Sequence, residues 1–165
     1  MTGELTSRPA THEDEEAIAK LLLCMYQEVG RCPLNPQKAC AEIVDTVRNH
    51  ACFVVEHNGL IVGVVGISPL HGGLFYSDAP WLIDKFIYVQ PQYRPEHLDA
   101  CAFKLLLAEV HRLVNATQIP CFLRVFNEKR TRVRDGMDVI GRVYACYPAG
   151  VIVEIHPEQS KVMMQ

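Results

Sequence analysis

Apolar and polar positions change period several times along the chain. From Ala17 onward, Ile18, Leu21, Leu22, Met25, Tyr26 and Val29 recur at three- and four-residue spacing, which predicts a helix with one buried face. Ahead of them, Thr11-His12-Glu13-Asp14 places a carboxylate three residues after a Thr cap, an arrangement that satisfies free N–H groups of a first turn. Gly30 ends the segment. Asn35-Pro36 starts a second helix, with Asn as cap and Pro at the first helical position, and Ala39, Ile43, Val44 and Val47 line its inner face. The period then drops. Cys52–His57 and Leu60–Ile67 flank Asn58-Gly59, a two-residue hairpin turn because both residues tolerate positive φ. Thr6–Ala10 predicts a short first strand and Trp81–Val89 a further one. Leu98–Val114 predicts a helix with Leu98, Ala102, Leu105, Leu106 and Leu113 on one face. Pro120–Phe126 predicts a strand, Asn127–Ile140 a short charged helix, and Arg142–Tyr147 and Val151–His156 two final strands.

The resulting order, β-α-α-β-β-β-α-β-α-β-β, is an α/β or α+β arrangement of layers. Its 165 residues suit one domain, since domains cluster at roughly 100–150 residues. That domain is expected over 1–156, with 157–165 as a C-terminal tail.

Charge and cysteine usage narrow the functional classes. Sixteen Lys+Arg against nineteen Asp+Glu give a formal charge of −3, the opposite of the basic excess of a nucleic-acid binder. No run approaches the roughly 20 apolar residues of a membrane span, and Met1–Ala10 has no apolar signal-peptide core. The expected location is therefore cytoplasmic. Seven cysteines, an odd number without a C-x-x-C pair, read as small buried thiols in a reducing compartment. The seven histidines show no ligand spacing, and no metal is expected.

The most informative stretch is Phe86-Ile87-Tyr88-Val89-Gln90-Pro91-Gln92-Tyr93-Arg94, followed by a long amphipathic helix. A strand ending in V-x-P-x-Y-R before such a helix, within this order of elements, resembles the GNAT family of acyl-CoA-dependent N-acyltransferases. The likeness runs from about Arg8 to Ile155. It implies a mixed, mostly antiparallel central sheet of six to seven strands flanked by about four helices, acetyl-CoA as co-substrate, and transfer of an acetyl group to a small-molecule or protein amine. By resemblance, Ile87, Tyr88 and Val89 hold the pantetheine arm like an added strand. Arg94, Pro95, Glu96, His97, Leu98, Asp99 and Ala100 form the pyrophosphate turn, where a helix N-terminus attracts an anion, and Asn127 belongs to the cofactor side. Asp84 is the candidate general base.

This chain departs from the family pattern in the turn. Where the family has R/Q-x-x-G-x-G/A, the sequence reads Arg94-Pro95-Glu96-His97-Leu98-Asp99-Ala100. His97 and Asp99 replace both glycines, and Glu96 and Asp99 add negative charge beside the expected anion. Two unit charges a few ångströms apart repel by roughly 4 kcal/mol at an effective dielectric of 20, half the ~8 kcal/mol of a micromolar ligand. The family's tyrosine acid falls near Arg134; Tyr144 and Tyr147 lie on the next strand. A second reading thus stands beside the first: a GNAT-fold protein without catalysis, working through protein contacts or as a homo-oligomer, including a bacteriophage virion or host-takeover component. Arg124, Lys129, Arg130, Arg132 and Arg134 form a basic cluster, readable as a solvated helix face or as an anion contact. Leu70, Leu74, Phe75 and Tyr76, beside His71, form an apolar loop readable as a substrate lid or protein contact.

Overall fold

The computed structural model describes residues 4–29, 33–70, 79–94, 101–132 and 138–149, with the backbone alone at 29, 125–132 and 138–144. Among these residues, six strands make one sheet in chain order: β1 (Leu5–Pro9), β2 (Ala51–His57), β3 (Leu60–Leu70), β4 (Trp81–Val89), β5 (Cys121–Arg132) and β6 (Asp138–Cys146). Every neighbouring pair is antiparallel except β4 with β5, which is parallel. Helices α1 (Glu15–Val29) and α2 (Pro36–Asn49) cover one face and α3 (Ala102–Thr117) covers the other.

Local chemistry places these elements. Asp14 accepts from the Thr11 main-chain N–H at 2.7 Å and from its hydroxyl at 3.1 Å, which fixes the entry to α1. Asn35 Oδ1 accepts from the Lys38 N–H at 3.0 Å, with Pro36 opening α2. Asn58 and Gly59 have φ of 51° and 77°, as a tight hairpin turn between β2 and β3 requires. On the α1/α2 face, Ile18, Leu21 and Ile43 pack over Val54, Val64 and Phe86. On the other, Leu106, Val110 and Val114 pack over Val65, Ile87 and Val89.

A bulge in β4 decides which residues face where. Gly66 pairs with Phe86 and Ile67 with Asp84, so Lys85 is the extra residue. One inserted residue reverses the alternation of every side chain beyond it. Leu82, before the bulge, lies on the α3 side, as do Ile87 and Val89 after it, whereas Phe86 and Tyr88 turn to α1 and α2.

The structure corrects the sequence reading at one element. Residues 127–132 and 138–140 are strand, not helix, and the described residues contain three α-helices. Val133, Met137 and Ile140 sit at helical spacing, but cross-strand pairing (Thr131 with Val139, Arg132 with Asp138) governs the backbone. Long-range pairing routinely overrides such a local pattern. The basic cluster therefore follows a strand as far as Arg132. β3 extends to Leu70 and α3 to Thr117. The expected strand 151–156, the tail 157–165 and His71, Leu74, Phe75, Tyr76, Arg134, Cys32 and Gly30 lie outside the described residues.

Candidate active site

The centre of the site is the place where β4 and β5 part. They pair at Leu82 with Cys121 and Ile83 with Phe122, and the Leu82 N–H donates to the Pro120 carbonyl at 2.8 Å. The next rung of a regular parallel ladder would put the Arg124 N–H on the Asp84 carbonyl. Instead the Asp84 carboxylate intercepts it: Oδ1 accepts from the Arg124 main-chain N–H at 2.8 Å and from its Nε at 3.3 Å. The Arg124 guanidinium takes the vacated Asp84 carbonyl at 2.5 Å. A side chain thus stands in for a backbone rung on each strand and wedges the strands apart. Asp84 is 2% exposed. Burial pushes its carboxyl above the ordinary range, opposed by the Arg124 contacts, which favour the ionised form. Its second oxygen, Oδ2, takes no part in these bonds.

Beyond the wedge, β4 offers a backbone edge. The Gln90 N–H donates across to the Val62 carbonyl at 2.9 Å. Backbone groups alternate between the two edges of a strand, so Ile87 and Val89 turn theirs toward the side from which β5 has departed. Tyr88, paired with Val64, turns its backbone toward β3. All three side chains are buried.

Arg94 crosses this edge. Its Nε donates to the Val89 carbonyl at 2.9 Å. Its two terminal nitrogens form a fork on Glu28 at 2.7 and 2.9 Å, and the guanidinium lies 5.4 Å from the Tyr88 ring centroid. The Tyr88 hydroxyl donates to the same Glu28 at 2.8 Å. Burial and that carboxylate raise the Tyr88 hydroxyl's pKa. Glu28, in the last turn of α1, therefore occupies the planar fork that suits a carboxylate or phosphate. Sequence reasoning did not single out Glu28; nothing local marks a residue 66 positions from its partner.

Pro95, Glu96, His97, Leu98, Asp99 and Ala100 lie outside the described residues. Asn127 is on β5, with only its backbone described, as is Tyr144 on β6. Tyr147 meets Trp81 edge-on, centroids 5.9 Å apart. Ser68 on β3, opposite Ile83, carries a buried hydroxyl without a hydrogen-bond partner among the described residues. Among the described residues, no group of three or more His, Cys, Asp or Glu could hold a metal ion, and no helix is long and apolar enough to cross a membrane.

The sequence matches no protein-family model and no curated protein. Solved structures do resemble the fold. One is a predicted acetyltransferase from Clostridium acetobutylicum with acetyl-CoA, 13% identical, covering 70% of this chain and 77% of its own, at a TM-score of 0.58. A second, named histone acetyltransferase HPA2 and related acetyltransferase, from Corynebacterium glutamicum, is 14% identical. It covers 93% of this chain and all of its own at 0.56. The aminoglycoside N-acetyltransferase AAC(6')-Iy in complex with CoA is 19% identical, covering 74% and 76%, also at 0.56. With a mixed sheet opening between a parallel central pair, and helices on both faces, the chain has the fold of the GNAT superfamily of acyl-CoA-dependent N-acyltransferases.

Proposed function

We propose that this protein transfers an acetyl group from acetyl-CoA to an amine. The observation that carries the reading is the divergence of β4 from β5 at Asp84, which leaves the Ile87 backbone and the Val89 N–H to pair with an amide-bearing ligand as an added strand would. The similar structures with CoA or acetyl-CoA support a ligand of that class.

In this scheme the amine nitrogen bonds to the thioester carbonyl carbon, and the C–S bond breaks. Asp84, through Oδ2, accepts the proton that the nitrogen loses. A thiol of ordinary pKa, about 8.5, leaves readily as thiolate and takes up a proton from water. Ile87 and Val89 orient the arm. Arg94 would meet the phosphates only after yielding its fork on Glu28, so binding carries the cost of breaking that pair.

The test is thermal unfolding with acetyl-CoA at low salt. A ligand at a hundred times its Kd adds about 2.7 kcal/mol of stability, and a raised melting temperature is expected. No shift at millimolar acetyl-CoA would remove the enzyme reading and leave the non-catalytic one, which the Glu28–Arg94 clamp favours. In that event, binding created by joint His97→Gly and Asp99→Gly changes would place the fault in the turn alone.

A further inference from the structure

Helices α1 and α2 lie over β2, β3 and β4. Cys121 and Leu123 on β5, and Leu82 on β4, turn to the α3 side. Alternation therefore puts Trp81, Phe122 and Arg124 on the other face, next to the strands that α1 and α2 cover. Trp81 stacks on Phe122 with centroids 4.4 Å apart. Tyr147, which meets the Trp81 ring edge-on, is 40% exposed, and Ala145, opposite Phe122, is exposed. The three rings form a platform that reaches solvent.

Arg124 joins this platform to the reaction centre. Its side chain leaves the platform's face and ends in the gap between β4 and β5, where Nε meets Asp84 Oδ1 at 3.3 Å and Nη2 meets the Asp84 carbonyl. Among the described residues Nη1 makes no hydrogen bond, and the side chain is 47% exposed. An anion on Nη1 would thus sit one guanidinium's width from the Asp84 carboxylate, beside the Ile87 edge. Asp84 repels a ligand that brings a carboxylate alone, and Arg124 repels one that brings an ammonium alone. A ligand with both groups offsets both charges. Phe122 and Arg124 are two residues apart on one face, about 7 Å along the strand, which matches the reach from carboxylate to ring in an aryl amino acid.

Resting on the acetyl-transfer reading, we infer that the acceptor is an amino acid with an aromatic side chain, its carboxylate on Arg124 Nη1, its ring on Trp81 and Phe122, and its amine toward Asp84 Oδ2. Transfer forms the bond between the amino nitrogen and the acetyl carbonyl carbon and breaks the C–S bond. The nitrogen's proton passes to Asp84, and the products are an N-acetyl amino acid and the free thiol.

Trp81 is the chain's single tryptophan, so its fluorescence reports on the platform. The experiment titrates the protein with 4-nitro-L-phenylalanine, whose nitro ring quenches tryptophan at close range. Two truncated ligands are compared: 3-(4-nitrophenyl)propanoate, without the amine, and 2-(4-nitrophenyl)ethylamine, without the carboxylate. Acetyl-CoA thermal shift is measured in parallel. The amino acid should quench saturably, and each truncated ligand should bind at least about tenfold more weakly, as the loss of a charge-assisted hydrogen bond implies. Arg124→Gln should erase the preference over the ethylamine; where that variant fails to fold, the three ligands on the unaltered protein decide. No saturable quenching at millimolar amino acid, or equal binding of either truncated ligand, overturns the inference. Preferential quenching without an acetyl-CoA shift keeps the amino-acid site and removes acetyl transfer. A shift without preferential quenching does the reverse.

Discussion

Asp84 holds two jobs that substitution can separate. Asn at 84 keeps an oxygen for the Arg124 N–H but cannot accept a proton. Asp84→Gln would displace the wedge as well, so Asp84→Asn is the informative change. It is expected to cost less than about 1 kcal/mol in stability and to lower kcat by about 10²–10⁴. Asp84→Ala leaves the Arg124 N–H without its acceptor and should cost about 1–3 kcal/mol by denaturant unfolding. A fully active Asp84→Asn variant would exclude Asp84 as the base. Because burial raises its pKa in the folded state, the acid limb of the rate profile should lie above the ordinary aspartate value, with activity falling as pH drops through it. Glu28 is the other residue of consequence. Glu28→Gln removes the charge that holds Arg94, and a gain of about 1 kcal/mol for a competing anion is roughly fivefold in Kd. Calorimetric titration should show acetyl-CoA binding tightened by about three- to tenfold; unchanged affinity would mean Arg94 does not meet the ligand.

At the level of elements, the start of α1 has a pH signature. Arg8 forks onto Asp14 at 2.7 and 2.8 Å and reaches Glu56 at 2.6 Å, tying β1, α1 and β2 together. The Arg8 bonds, together with the Thr11 N–H and hydroxyl, hold the Asp14 carboxyl down to about 2. A lowered folded pKa favours the native state above the ordinary value of about 3.9 and loses that contribution as pH falls toward 2. Stability should drop by about 1–2 kcal/mol across this window, and Asp14→Asn should flatten the loss; an unaltered slope would contradict the assignment. The capping residues, the Asn-Gly turn and Trp81–Val89 were legible because their signals are local. Other features carry no local mark. The end of α3 closes on Gln118 at φ 58°, with no glycine to announce it. The bulge at Lys85 is written in the partner strand: a Cβ on Gly66 would come within 2.6 Å of the Phe86 ring and 2.7 Å of Thr46.

Across the whole molecule, element spacing gave the order of elements as far as the strand after Pro120, the mixed sheet came from the family resemblance, and the expected fold class holds. What the sequence hid is how residues distant in the chain meet. Asp84 was readable as a carboxylate on the right strand, but its role in holding β5 away depends on Arg124, forty positions on. The V-x-P-x-Y-R stretch pointed to Arg94 as an anion-binding arm, while the structure engages that arm with α1. Burial of Cys52, Cys101, Cys121 and Cys146 agrees with the thiol reading, and Cys52 and Cys121 are pushed up to about 12 by burial. Cys24 and Cys40 are exposed and depart from it.

The two short rungs between β4 and β5 have a final consequence. Strands β1 to β4 form one laced ribbon and β5 with β6 another, and α3 lies against β1, β2 and β3 on one side and β6 on the other. Much of the cohesion between the ribbons therefore passes through a helix spanning the seam. In native-state hydrogen exchange, the outward amides of Ile87 and Val89 should exchange faster than that of Tyr88, and a bound thioester ligand should slow those two first.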